Sequence, residues 1–299
     1  MSQRAHQSAA SNASCKNGLV RTLVVGCNGM LGTDLMAALR NSSDFEPVGV
    51  DVPDIDITRP HSVNHVTHRI RPLVIINCAA YTDVDGCESN RDLAFAVNGE
   101  GPGILARAAR NLGALLVHIS TDFVFDGTKL LPYVEEDLPH PISAYGESKL
   151  LGERLVMEQT DEFAIFRTAW LYGRHGNNFV DTMLKLGSQR NTLRVVADQI
   201  GSPTCTVHLA EGLIIALRKG LRGLFHLTNS GCCSRYEWAK KTFELAAMAV
   251  EVLPATTDEF PHPARRPANS ALDCSKFTLH SNYEMPAWDT ALAEYISER

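Results

Sequence analysis

The stretch LVVGCNGMLG, residues 23–32, sets Gly26, Gly29 and Gly32 three apart between two apolar runs. No other feature restricts the fold as much. The run 18–26 reads as a strand and 30–42 as a helix. Gly26 permits a tight turn, Gly29 lets backbone approach a pyrophosphate, and Gly32 lets the helix pack close to the sheet. The helix N-terminus then turns free N–H groups and a positive dipole end toward an anion. Asp51 closes the second apolar run, 46–51, roughly 20 residues past the last glycine, where a carboxylate accepts hydrogen bonds from an adenosine ribose. A glycine triplet alone also terminates strands for purely structural reasons. Strand, turn, helix and following acid together give the dinucleotide reading its weight. A carboxylate at Asp51 repels a 2′-phosphate and favours NADH, and no basic residue follows the glycines to favour NADPH.

The same alternation continues. Residues 62–72 look helical and stop at Pro72, and 73–80 form an unbroken apolar run, as a strand buried on both faces requires. A helix over 101–113 ends on Gly113, a strand follows at 114–120, a long helix at 143–158 and a further strand at 163–170. Strands alternating with helices at this spacing predict an α/β fold, a doubly wound parallel sheet of the Rossmann type. After residue 171 the rhythm loosens. A strand over 223–229 is expected to return to the sheet, and 234–249 is a helix opened by Ser234 and Glu237 in capping-box spacing. The expected organisation is a disordered polar tail, 1–17, a dinucleotide-binding domain, 18–170, and a smaller substrate-binding lobe, 171–299.

Composition narrows the function classes. The formal charge of −6 disfavours a nucleic-acid binder that works through bulk charge. No apolar run is long enough to span a bilayer, and residues 1–17 lack the apolar segment of a secretory signal. The eight cysteines form no C-x-x-C pair and have no histidine cluster beside them. That disfavours zinc and a disulfide framework, so a reducing cytoplasm is the simplest compartment.

Two further motifs carry chemistry. YGESK puts Tyr145 and Lys149 four apart on one helix face. Such a pair is also ordinary amphipathic packing; its position after the glycine turn, and after the strand end Ser120–Thr121–Asp122, sets it apart. The motifs GCNGMLG, NCAAYTDVD, STDFVFDG, YGESK, FRTAW and RRPANSALD together resemble the extended short-chain dehydrogenase/reductase family, and within it the dTDP-4-dehydrorhamnose reductases, over roughly residues 20–297. The resemblance implies reduction of a 4-keto group on a nucleotide sugar by NADH or NADPH. It implies a catalytic triad of Thr121, Tyr145 and Lys149: Tyr145 donates the proton, Lys149 lowers the tyrosine pKa from its usual value of about 10, and Thr121 holds the substrate carbonyl. It places Gly26, Asn28, Gly29, Met30, Leu31, Gly32, Asp51, Asp56, Ile57, Ala79, Ala80 and Tyr81, with Tyr145 and Lys149, on the cofactor. It places Thr82, Val84, Thr121, Asp122, Tyr145 and Trp170 on the substrate.

By the same resemblance Ser120 is a strand-end hydrogen bonder, and 176–180 and 198–204 line the nucleotide-sugar cleft. Arg265 and Arg266 meet a diphosphate or pair with acids in the small lobe. Asn98 ties strand to helix. Phe123 stands where a tyrosine is common, so a hydroxyl near the site is lost. Some family members hold magnesium at a dimer contact, so the resemblance allows magnesium as a further cofactor; no acidic residues are assigned to it and no metal residue is named. A homodimer is in keeping with the family; no nucleic-acid or membrane partner is expected. Two other functions stay open: a dinucleotide-binding regulatory subunit like that of methionine adenosyltransferase, and an epimerase or reductase of another nucleotide sugar. The intact Thr121, Tyr145 and Lys149 argue against the first.

Overall fold

The structure is a computed structural model that describes residues 18–299; the expected tail, with Cys15, lies outside the described residues. Six parallel strands make the central sheet: β1 Val20–Val25, β2 Phe45–Val50, β3 Val74–Asn77, β4 Leu115–Thr121, β5 Phe163–Thr168 and β6 Gly223–His226. Their order across the sheet is β6-β5-β4-β3-β1-β2. The chain steps one way from β1 to β2 and then the other way to β3. The carboxyl ends of β1 and β3 therefore form a switch point, where ligands bind in open α/β sheets.

Successive residues of a strand face opposite sides, and the core divides accordingly. Val24, Ile76, Val117 and Phe166 pack with helix α1, Met30–Arg40, on one face. Leu23, Ile75, Leu116 and Ile165 pack on the other face, with α2, Pro60–Ile70, then α3, Gly101–Leu112, and α4, Ala144–Gln159. All seven residues of β4 are buried, as expected of a central strand covered on both faces. The apolar run 73–80 is strand only as far as Asn77. Cys78 N–H still bonds the Val25 carbonyl, but the Asn77 side chain takes the N–H of Ala79 at 3.2 Å and turns the chain out of the ladder.

After β5 the chain leaves the sheet and comes back. Helix α5, Thr206–Arg218, covers the same face as α1, and β6 adds the last strand beside β5. The remaining residues build short two-stranded ladders, Ile200–Gly201 with Cys233–Ser234 and Thr192–Val196 with Glu251–Ala255. Tyr172, Trp238, Leu292 and Tyr295 form a second core. Helix α6, Arg235–Leu245, starts with the capping box expected from Ser234 and Glu237.

Candidate active site

The glycine turn has the geometry its sequence implies. Gly26 sits at φ +78°, a region costly for residues with a Cβ, and a Cβ there would lie 2.6 Å from the Ala79 backbone. A Cβ on Gly32 would overlap the Gly26 carbonyl oxygen, so these two glycines close the turn onto itself. Gly29 differs: the nearest atom to an added Cβ is the Gly26 oxygen at 3.4 Å. The fold does not need a glycine there, and the space above it stays free for a ligand. Asp51 braces the turn. One carboxylate oxygen accepts the Asn28 N–H at 3.0 Å and the other the Val52 N–H at 2.8 Å.

Two cavities meet at this turn. The smaller, about 270 Å³, is lined by Gly26, Gly29, Asp51, Asp56, Ile57, Ala79 and Ala80 among others. Among the described residues it is lined by two carboxylates and no Lys, Arg or His. The larger, about 520 Å³, shares Gly29, Cys78 and Ala80 with it and continues past Met30, Leu31, Thr82, Val84, Thr121, Asp122, Tyr145, Lys149 and Trp170. The result is one cleft running over the carboxyl ends of β1, β3, β4 and β5.

Not every expected residue faces this cleft. Asn28 and Gly32 shape the turn without lining either cavity. Tyr81 lines neither: its backbone is held by the Asn98 side chain at 2.8 and 3.0 Å, and its ring packs beside Cys87, Ala144 and Tyr145. Asn98 also donates to the Ser148 hydroxyl at 3.1 Å, so it ties the end of β3 to α4. From 176–180 only Asn177 lines the cleft. Segment 198–204 does not line it; the Trp170 ring occupies the place a Cβ on Gly201 would take, so this segment supports Trp170 from behind.

Helix α4 brings Tyr145 and Lys149 to β4. Ser143 caps it, accepting the Gly146 N–H at 3.2 Å. A Cβ on Gly146 would overlap the Phe123 carbonyl oxygen, so glycine there lets the helix start in backbone contact with the turn after Thr121. Tyr145 and Thr121 consequently line the same cleft. Burial pushes the Tyr145 hydroxyl well above the usual tyrosine range; Thr121 draws it down, and Asp122 and Cys87 push it further up.

Lys149 lines the same cleft as Tyr145. Lys149 is buried, and its Nζ donates to the Ile119 carbonyl oxygen at 2.6 Å. Burial lowers its own pKa to about 8, with Glu153 and Cys78 working the other way. Ser120 behaves as a strand-end hydrogen bonder: it donates to Glu153 Oε1 at 2.5 Å, where Arg167 grips the same carboxylate through Nε at 2.8 Å and Nη2 at 2.7 Å.

The far wall carries two cations. Arg266 lines the cleft and forms a two-pronged ion pair with Asp85, at 3.1 and 2.8 Å. Arg235, the first residue of α6, lies 3.6 Å over the Trp170 ring centroid and faces Asp122. Sequence reasoning missed Arg235, because a basic residue at a helix start reads as a solvated side chain. Trp170 itself has φ +47°, an uncommon conformation for a non-glycine residue; it stacks on Trp238 at 5.7 Å as well as beneath Arg235. Among the described residues no group of three His, Cys, Asp or Glu side chains is placed to hold a metal ion, and no helix is long and apolar enough to cross a membrane.

Known proteins with this sequence pattern are close at hand. The chain is 42% identical over 277 residues to a dTDP-4-keto-6-deoxy-D-glucose reductase of Streptomyces niveus, covering 92% of this chain and 96% of that one. It is 40% identical over 281 residues to the spore coat polysaccharide biosynthesis protein SpsK of Bacillus subtilis, covering 94% and 98%. The crystal structure of a dTDP-4-dehydrorhamnose reductase from Bacillus anthracis, in complex with NADP, superposes with a TM-score of 0.91 at 42% identity, over 94% of this chain and all of that one. Residues 20–299 match the RmlD substrate binding domain family from end to end, and the chain belongs to that family.

Proposed function

We propose that the chain reduces the C4 keto group of dTDP-4-dehydro-L-rhamnose to give dTDP-L-rhamnose, using a nicotinamide dinucleotide. The observation that carries this reading is that Thr121, Tyr145 and Lys149 line one cleft continuous with the glycine turn. Two hydroxyls that meet at one point can both hydrogen-bond one carbonyl oxygen and stabilise the charge that builds on it. Relatives that bear the name of this activity support the substrate.

The open face above Gly29 and the free N–H groups at the start of α1 suit a pyrophosphate. A bound dinucleotide supplies hydride. Asp51 and Asp56 line the adenosine end, where like-charge repulsion disfavours a 2′-phosphate, so NADH is the better cofactor of the two. Lys149, which lines the cleft, would hold the nicotinamide ribose. Trp170 offers a face for the sugar, and Arg235 and Arg266 offer cations for the diphosphate. Tyr145 delivers the proton.

The test is oxidation of NADH and of NADPH, followed by nicotinamide absorbance, with dTDP-6-deoxy-L-lyxo-4-hexulose. Wild type turns over and Tyr145→Phe loses at least 10²-fold in kcat, as expected for proton transfer, while still binding dinucleotide. A wild type that binds dinucleotide without turnover refutes the assignment and directs the search to another nucleotide sugar or to a regulatory role.

A further inference from the structure

Arg235 lines the cleft with its charge uncommitted. Its guanidinium lies among rings, 3.6 Å over the Trp170 centroid, 5.2 Å from that of Phe179 and 5.5 Å from that of Trp238. Among the described residues it makes no hydrogen bond and no ion pair, so its N–H donors are free. Arg266 differs. Its Nη1 donates to Asp85 and to the Ala264 carbonyl, its Nη2 donates to Asp85 again, and His262 lies 3.3 Å from the same carboxylate. Burial lowers the Arg235 pKa to about 10, so the group stays charged at neutral pH. A planar charged fork that lines a cleft and grips nothing of its own chain matches the geometry of a phosphate.

The same arginine covers part of the site. At 3.6 Å nothing fits between guanidinium and ring, so the Trp170 face beneath Arg235 is closed while Arg235 rests on it. The ring itself is fixed. Trp238 stacks on it at 5.7 Å, and a Cβ on Gly201 would come 2.3 Å from its Cε2, so backbone packs against it as well. Its φ of +47° is a sparsely populated conformation, which persists only where the surroundings over-determine it and which gathers at ligand clamps. Of the two partners Arg235 is the one that can move, having a long side chain with rotamer freedom and no hydrogen bond to hold it.

We propose that Arg235 makes the cleft selective for a sugar that carries a phosphate: it rests on Trp170 until the substrate's diphosphate draws it off, which uncovers the ring for the sugar. This deepens the reaction proposed above and rests on it. The exchange is favourable because two parallel charge-assisted N–H···O bonds to a phosphate outweigh the cation–π contact they replace. An unphosphorylated 4-keto sugar has nothing to lift the arginine and meets a covered ring. Recognition of the phosphate and placement of the sugar thus become one event, and binding energy from a non-reacting part of the substrate positions the reacting part. Arg235 is a positioning residue in this scheme, acting on the keto carbon only through the place that the sugar takes on Trp170.

The test is binding of dTDP and of thymidine, by calorimetric titration and by tryptophan emission, in wild type, Arg235→Ala and Arg235→Lys. Saturating NAD+ is present throughout, so that the glycine turn is filled and cannot take the probe's phosphates. Wild type should bind dTDP about tenfold or more tighter than thymidine, and dTDP but not thymidine should change the emission as the guanidinium leaves Trp170. In Arg235→Ala the affinity for dTDP should fall by about 10- to 100-fold, toward that for thymidine, and dTDP should no longer alter the emission. Affinity for thymidine should stay within about twofold, which also shows that the variant is folded. Arg235→Lys keeps the charge without the fork and should fall between the two. A wild type that binds dTDP no tighter than thymidine, a wild-type emission that dTDP leaves unmoved, or an Arg235→Ala that binds dTDP as wild type does overturns the proposal. Turnover of dTDP-6-deoxy-L-lyxo-4-hexulose reads the reaction separately: a wild type that binds dTDP through Arg235 yet reduces no dTDP-linked 4-keto sugar overturns the reaction and leaves the phosphate-reading arginine in place.

Discussion

Glu153 and Arg167 form an ion pair buried between α4 and β5, at 0% and 2% exposure. Both carboxylate oxygens are engaged by the guanidinium, and Ser120 adds a third hydrogen bond. Glu153→Gln keeps the shape and removes the charge. The guanidinium then stays in the core without a counter-charge, a loss of about 3–5 kcal/mol. An unfolding entropy of about 2.1 cal/mol/K per residue gives roughly 0.6 kcal/mol/K for a chain of this length. The midpoint of thermal unfolding should therefore fall by about 5–8 °C. Arg167→Met together with Glu153→Gln fills similar volume without either charge and should recover most of the loss, because much of the single-variant cost is the stranded cation. Scanning calorimetry of wild type, both single variants and the double variant measures each corner of the cycle. A Glu153→Gln shift under about 2 °C, or a double variant as unstable as the two singles summed, would refute the reasoning.

The glycine turn gives a paired expectation. Gly29→Ala should leave the thermal midpoint within about 2 °C of wild type, as the added methyl meets ordinary contacts, and should weaken NADH binding by about tenfold or more. Gly32→Ala should lower both stability and binding, since its methyl overlaps the turn backbone; calorimetry and fluorescence titration separate the two outcomes. Asp122 has a folded-state pKa of about 6 against roughly 3.9 unfolded, so its contribution to stability is present below pH ~4 and is lost as pH rises through 6. That loss is about 3 kcal/mol, at about 1.4 kcal/mol per pKa unit. Asp122→Asn lacks it and should gain about 2–3 kcal/mol relative to wild type between pH 4 and pH 7, read from urea unfolding at each pH. Asp51→Asn should narrow the NADH-to-NADPH ratio of kcat/KM by about tenfold, and a ratio unmoved by the change would remove Asp51 from cofactor choice.

What the sequence reveals here depends on how far apart the cooperating atoms lie along the chain. The glycine turn is legible because Gly26 and Gly32 close on each other within a few residues, and local spacing fixes that contact. Tyr145 and Lys149 are legible for the same reason, being one helical turn apart. Thr121 and Asp122 are adjacent, and their strand-end position follows from the apolar run before them. Arg235 is different. Its place over Trp170 and opposite Asp122 requires α6 to dock its first residue against a strand end 65 residues earlier, and a start such as SRYEW carries no local mark of that. Segment 198–204 misleads in the opposite sense, since its glycine and proline suggest a ligand loop while the Gly201 site is filled by a tryptophan ring. Lys149 shows the limit most sharply. Its spacing from Tyr145 is right for both side chains to share a face, yet the carbonyl that captures its amine belongs to β4, and burial there reduces the charge that spacing alone would assign to it. Helical spacing fixes direction, whereas proton affinity follows from what the rest of the fold packs around the group.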